Sequence, residues 1–291
     1  MVIDPSFIEQ LKKLNITTKR RVVNVYMGSR PSIRQGRGIE IADYREYYPG
    51  DDFRSIDWRV YARTERLYIR RFEEEKDLIL HLLLDSSASM DFAVSGIMRK
   101  FDYAGSIAAG FAYLALNKNE KFAFALFSDR IREVMQARKS TFHFFKLVDL
   151  INSSPQSGKT NLKKCVDQYT NLIKARSFII VISDFIEPIE SLEYGIYKIA
   201  KYSKEAILVQ ILDPGEINLQ WRDDIKFEDM ETSETERTFL SPEFKREYSE
   251  KLEQHIFEIG EICNDTGVDF FSVTTNMPLF DAFVEILRHG S

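Results

Sequence analysis

Residues 78–89 read Leu78-Ile79-Leu80-His81-Leu82-Leu83-Leu84-Asp85-Ser86-Ser87-Ala88-Ser89. An almost unbroken apolar run of this length, ending on an acid and small hydroxylated residues, is the pattern of a strand buried on both faces. Residues 178–182 repeat it without an internal polar residue and end on Ser183-Asp184. Around these two strands the texture alternates. Helical spacing runs over 100–116, strands over 121–127 and 131–135, and amphipathic helices over 141–151 and 162–175. A helix over 192–202, a strand over 206–212, a long helix over 243–265 capped by Gly267, a strand over 270–273 and a helix over 278–288 complete the series. Strands alternating with helices imply an α/β fold: a three-layer, doubly wound, mostly parallel sheet of Rossmann-like type, spanning 77–291.

Upstream the reading differs. Asp4-Pro5 with Phe7, Leu11 and Leu14 predicts a short capped helix, 22–27 a strand, and Gly28, Pro31, Gly36 and Gly38 a loop. Residues 44–75 are dense in Arg, Asp and aromatics, with a strand over 67–72. Residues 1–76 are therefore expected to form an N-terminal extension, a small β-rich subdomain. From Lys12 to Arg37 there are eight Lys/Arg and no acid; against a net charge of −5 over 291 residues, the rest of the chain carries −13. This arm has no aromatic–basic interleaving to stack bases, so no nucleic acid is expected. It reads as folding onto the chain's own acidic surface, such as the run Glu228, Asp229, Glu231, Glu234, Glu236.

The composition, 44% hydrophobic and 29% charged, is that of a globular protein and excludes collagen-like, disordered and disulfide-scaffold classes. Cys165 and Cys263 form no CxxC pair, which points to a reducing compartment and small core residues. The first residues lack a signal-peptide pattern, and no run reaches the roughly 18 apolar residues of a membrane span. A cytoplasmic protein without a transmembrane segment is expected; peripheral association with a membrane complex is compatible with this.

Three loop segments carry the chemistry: Asp85-Ser86-Ser87-Ala88-Ser89, Gly158-Lys159-Thr160 and Ser183-Asp184. Asp85, Ser87, Ser89, Thr160 and Asp184 supply carboxylates and hydroxyls only, a donor set for a hard cation such as Mg²⁺, with Mn²⁺ or Ca²⁺ also suited. Alternate residues of Asp-x-Ser-x-Ser can project to one side. In open α/β sheets ligands gather beyond the strand carboxyl ends where the winding reverses. If the strands before Asp85 and Asp184 are neighbours there, the two acids meet. The competing reading is that Ser87 and Ser89 cap the following helix and Asp184 caps a turn.

Other signals are weaker. Ser157-Gly158-Lys159-Thr160 imitates the end of a phosphate loop, but Ser153 stands where that loop needs Gly, so Lys159 is expected to be solvated. The four histidines have no zinc spacing, and His81 is expected to be a satisfied core residue. In the 43–57 block Arg45, Arg54 and Arg59 alternate with acids, which suggests an internal ion-pair network with Trp58 as a packing anchor.

The five oxygen donors, each in its expected context, resemble the complete metal-ion-dependent adhesion site of a von Willebrand factor A domain. That resemblance covers residue 77 to the C-terminus and implies a Mg²⁺ ion that grips an acidic residue of a protein partner. Gly38-Ile39-Glu40, Asp43-Tyr44-Arg45-Glu46-Tyr47, Pro49-Gly50-Asp51-Asp52, Arg54-Ser55-Ile56-Asp57-Trp58-Arg59 and Ala62-Arg63-Thr64 resemble the signature of the bacterial "domain of unknown function 58" family. Asp213-Pro214-Gly215-Glu216 and Phe227-Glu228-Asp229 resemble its later segments. Many members carry two N-terminal membrane helices; without them, this chain is similar to a soluble member. The resemblance implies partnership with a MoxR-type AAA+ ATPase and an adaptor or assembly role without catalysis. Within the signature, Arg45, Asp51, Asp52, Arg54, Asp57, Trp58 and Arg59 are the candidate partner-binding residues. The alternative is a Mg²⁺-dependent phosphotransfer enzyme: Leu82-Leu83-Leu84-Asp85 resembles the strand and nucleophilic Asp of haloacid-dehalogenase-like phosphatases, although Ser87 replaces their second acid.

Overall fold

A computed structural model of the chain describes residues 6–7, 9–11, 32–33, 41–74, 78–93, 98–173, 177–219, 224–228, 235–239 and 241–288. The chain divides into two compact units, one of residues Gly28–Asp77 and one of Met1–Met27 with Leu78–Ser291. In the smaller unit β1 (Ser32–Ile33) and β2 (Ile41–Glu46) both pair antiparallel with β3 (Tyr68–Glu74), giving the order β1-β3-β2. A short helix, α1 (Trp58–Thr64), precedes β3. Ile56 and Ile69, bridged to each other, are its buried apolar pair.

The larger unit carries β4 (Ile79–Asp85), α2 (Lys100–Asn117), β5 (Lys121–Phe127), β6 (Ile131–Arg138), α3 (Thr141–Ser153), α4 (Leu162–Thr170) and β7 (Ser177–Ser183). Then follow α5 (Ile189–Tyr202), β8 (Glu205–Leu212), α6 (Pro214–Asn218), β9 (Asp224–Glu228), β10 (Thr235–Phe239), α7 (Pro242–Thr266), β11 (Asp269–Thr274) and α8 (Leu279–Arg288). Six strands form one sheet in the order β11-β8-β7-β4-β5-β6, parallel except for the edge strand β6; β9 and β10 make a separate hairpin. This is the three-layer, doubly wound, mostly parallel arrangement expected of the α/β region.

The apolar strands are continuous because each feeds two cores. Leu80, Leu82 and Leu84 of β4, with Phe178, Ile180 and Ile182 of β7, join the core under α2, α3 and α8. Leu83, Ile179, Val181 and Leu208 point the other way, into the core under α4, α5 and α7. The winding reverses at β4. The chain runs from β4 to β5 and β6 on one side, then returns to β7 on the other, so β4 and β7 are adjacent and parallel, with Leu84 opposite Ile182.

The helical residues 6–7 and 9–11 depart from the expectation of a 1–76 extension. Phe7 and Leu11 are buried in the α2/α8 core, and the Phe7 ring meets Phe283 edge-on at 5.7 Å. Two apolar residues one helical turn apart on a short segment find their burial on the larger core. The strand predicted over 22–27, the basic arm, and the side chains of the acidic 228–236 run lie outside the described residues.

His81 is only half satisfied. Its Nδ1 lies 2.8 Å from the Tyr169 hydroxyl, while Nε2 has no partner among the described residues. Burial pushes its pKa from 6.5 down to about 4. Between these values the unfolded chain takes up a proton that the folded chain refuses, so stability falls as pH drops through this window. A His81→Leu variant is expected to lose less stability than the parent between about pH 7 and about pH 4.5, by up to about 2.5 kcal/mol. Chemical denaturation at the two pH values checks this; equal losses would contradict it.

Candidate metal centre at the carboxyl end of the sheet

Asp85 is the last residue of β4, and the chain turns out of the sheet immediately after it. The turn is fixed by backbone contacts. Ser86 N–H donates to the Phe127 carbonyl at 2.7 Å, Ser157 N–H donates to the Ser86 carbonyl at 2.9 Å, and Ala88 N–H donates to the Gly158 carbonyl at 3.0 Å. The loop bearing Thr160 is thus stitched to the loop bearing Ser87 and Ser89. Gly158 makes this possible: its φ is +81°, and a Cβ there would stand 2.8 Å from Arg132 Nη2.

All five expected residues come together. Asp85 Oδ1 accepts from Ser87 N–H at 2.8 Å, and Oδ2 accepts from the Thr160 hydroxyl at 3.1 Å. The hydroxyls of Ser87 and Ser89 are 3.0 Å apart, and Ser89 hydrogen-bonds Asp184. Ser87 stands before a 3-10 turn, Ala88–Asp91, without capping it through its side chain, so the capping reading does not account for this residue. Asp184 follows β7, and its backbone is clamped from both sides. Gln210 Nε2 donates to the Asp184 carbonyl at 2.9 Å, and the next residue, Phe185, is fully buried at φ +52°. A bulky residue in the left-handed region is a strained conformation that the surrounding packing must hold.

Three participants were not singled out for this site from the sequence. The Ser183 hydroxyl donates to Asp85 Oδ2 at 2.6 Å. Lys100, the first residue of α2, is fully buried, with Nζ 2.8 Å from Asp184 Oδ2 and 2.7 Å from Glu216 Oε1. Glu216 sits in a capping box with Asp213 at the start of α6, a pattern legible as Asp-x-x-Glu before a helix.

The two aspartates differ electrically. Burial raises the pKa of Asp85, and the neighbouring Asp184 charge raises it further against the hydrogen bonds of Ser183 and Ser87. Burial also works against ionised Asp184, but the Lys100 ammonium overrides it and holds this carboxyl below its ordinary range. Burial alone would push the Lys100 ammonium down; Asp184 and Glu216 together hold it above its usual value. Asp85 is therefore a fully buried carboxylate without a cationic partner among the described residues. Buried charges are ordinarily paired or metal-bound. One uncompensated carboxylate with the hydroxyls of Ser87, Ser89 and Thr160 fits a hard divalent ion.

The Arg/Asp block of the smaller unit departs from its reading. Arg45 pairs with Asp51 at 2.8 Å, whereas Arg54 and Arg59 are exposed and have no carboxylate partner among the described residues. Two of the acids also serve the backbone. Asp52 accepts from Arg54 N–H, and Asp57 caps α1 through Arg59 N–H while accepting from the Tyr44 hydroxyl at 3.2 Å. Trp58 is not a packing anchor: it is 59% exposed, edge-on to Tyr61. Lys159 is exposed, as expected of a solvated residue. Cys165 and Cys263 are buried and free.

The family profile described as "Protein of unknown function DUF58" matches residues 43–257, and the chain belongs to that family. Over 288 residues it is 25% identical to an uncharacterized Mycobacterium bovis protein, Mb1516, covering 98% of this chain and 89% of that one. YeaD of Bacillus subtilis is 38% identical over 65 residues, 22% of this chain and 16% of YeaD. Among solved structures, BatB from Bacteroides thetaiotaomicron is similar at a TM-score of 0.47 and 14% identity, over 72% of this chain and 96% of that one. The VWA domain of SpRpn10 is similar at a TM-score of 0.47 and 12% identity, over 72% and 95%.

A buried carboxylate kept without a countercharge costs stability. Asp85→Asn is expected to raise stability by about 1–2 kcal/mol in chelator at about pH 8. Thermal denaturation of both proteins in EDTA reads this directly, and a variant that melts lower would contradict it.

Proposed function

We propose that this chain is a protein-binding adaptor that grips an acidic side chain of its partner through a divalent cation, Mg²⁺ in the first instance. The observation that carries this reading is the buried Asp85 carboxylate, unmatched by any described cation and surrounded by the hydroxyls of Ser87, Ser89 and Thr160. Asp85 and these hydroxyls would hold the ion, with Asp184 completing the set through Ser89. A bound divalent ion would supply a Lewis-acidic position for an incoming carboxylate. The protein residues orient the donors and exclude water: both Asp85 oxygens are fixed by hydrogen bonds, and both aspartates are buried.

The smaller unit adds a second contact to this reading. Tyr48, Phe53 and Trp58 are each about three-fifths exposed, and Arg54 and Arg59 stand exposed beside them in sequence. Aromatic and arginine side chains are the residue types enriched at the centres of protein interfaces. A MoxR-type AAA+ ATPase is the proposed partner, and the proposed role is assembly without catalysis. Ser87 in place of a second acid and the complete burial of Asp85 weigh against a phosphotransfer nucleophile. No described helix is long and apolar enough to cross a membrane.

The test is capture of the ATPase by immobilised protein in Mg²⁺ and in EDTA, beside calorimetric titration with Mg²⁺. Retention in Mg²⁺ that is lost in EDTA and in Asp85→Ala is expected, with Mg²⁺ at ten times its Kd adding about 1.4 kcal/mol, or about 3–6 °C, to the melting transition. Retention indifferent to both chelation and Asp85→Ala would move the interface to the aromatic surface of the smaller unit. Absence of any Mg²⁺ heat would refute the metal-centre reading.

A further inference from the structure

A fully buried lysine is rare unless both its charge and its donors are matched. Lys100 opens α2 with no exposed surface, and among the described residues its ammonium meets Asp184 Oδ2 at 2.8 Å, Glu216 Oε1 at 2.7 Å and the Phe92 ring, whose centroid is 5.7 Å away. The second oxygen of Glu216 is occupied, accepting from Asp213 N–H at 2.9 Å. Glu216 is thereby fixed by its own helix start. The ammonium lies between a carboxylate of the metal centre and one outside it.

This placement changes the charge available to a metal. A divalent ion facing two free carboxylates would be neutralised by the protein alone. Here Asp184 shares the Lys100 ammonium with Glu216 and is partly matched from within, so Asp85 is the carboxylate offered to the ion without a countercharge of its own among the described residues. The ion then keeps part of its charge unmatched, and an incoming carboxylate would complete it. Oxygen sites tune divalent affinity by the number of charged ligands they present.

We infer that Lys100 is a resident cation of the metal centre: by holding Asp184 it keeps the affinity for the free ion low and reserves part of the ion's charge for the partner's carboxylate. The inference rests on the metal-centre reading above and deepens it. Lys100 is a positioning residue, acting through Asp184, and Glu216 sets how strongly it does so.

The two residues predict effects of opposite sign. In Lys100→Met/Glu216→Gln the net charge is unchanged and Asp184 is released, so Mg²⁺ alone should bind about 10-fold tighter and raise the melting temperature more at equal concentration. In Glu216→Gln the ammonium is left to Asp184 alone, and Mg²⁺ affinity should fall several-fold. Calorimetric titration with MgCl₂ and thermal melting, on variants shown to be folded by circular dichroism, provide the readings. If the double variant does not fold, the single Glu216→Gln result decides. Unchanged or weaker binding in a folded double variant, or unchanged binding in Glu216→Gln, overturns the role of Lys100. Mg²⁺ binding by the parent that Asp85→Ala abolishes keeps the metal-centre reading standing in that event. No Mg²⁺ binding by any of the proteins overturns both.

Discussion

Parallel pairing of β4 with β7 is the constraint from which the rest of the site follows. It brings two strand ends together where the sheet reverses its winding, and each strand is followed or terminated by an aspartate. Two like charges in a dry interior repel, and each must be stabilised by something other than water. The chain solves this differently on the two sides. Asp184 receives an ammonium from α2, while Asp85 receives hydroxyl and amide hydrogens from Ser183, Thr160 and Ser87. The asymmetry gives the site its chemistry. One acid has a buried ammonium beside it; the other is held, among the described residues, by hydrogen bonds alone.

The smaller unit obeys another economy. Its described apolar interior is slight, with Ile56 and Ile69 bridged across β3, and its acids stabilise turns and helix starts. Aromatic side chains that a larger domain would bury are left at its surface. A three-stranded sheet with one short helix encloses little volume, so exposed aromatics follow from its size.

Much of the α/β fold was legible because its strongest signals are local. Continuous apolar strands such as 178–182 declare burial on both faces within five residues, and the helices between them carry their own period. The five oxygen donors were legible too, since short loop segments directly after or before such elements can be placed by topology alone. Lys100 was not. Its partners lie 84 and 116 residues away in sequence, and at the start of an otherwise small and apolar helix it reads as an ordinary solvated end. Ser183 stood in a segment that the sequence did single out, but its role depends on which strand lies beside it. Trp58 was misread because a large aromatic suggests burial, whereas its described ring partner is the local Tyr61 and most of its surface is exposed.

The edge strand β6 carries a further consequence. Its outer residues include Arg132, Glu133 and Arg138, all charged, on the one strand that closes the sheet antiparallel. Charged side chains on an exposed edge discourage another strand from adding to it. Arg132 also braces the Asp129 turn at 2.8 Å and approaches the backbone at Gly158. One guanidinium therefore serves both the geometry of the loop that bears Thr160 and the resistance of the sheet to edge-to-edge aggregation, so losing it would weaken colloidal solubility and loop order together.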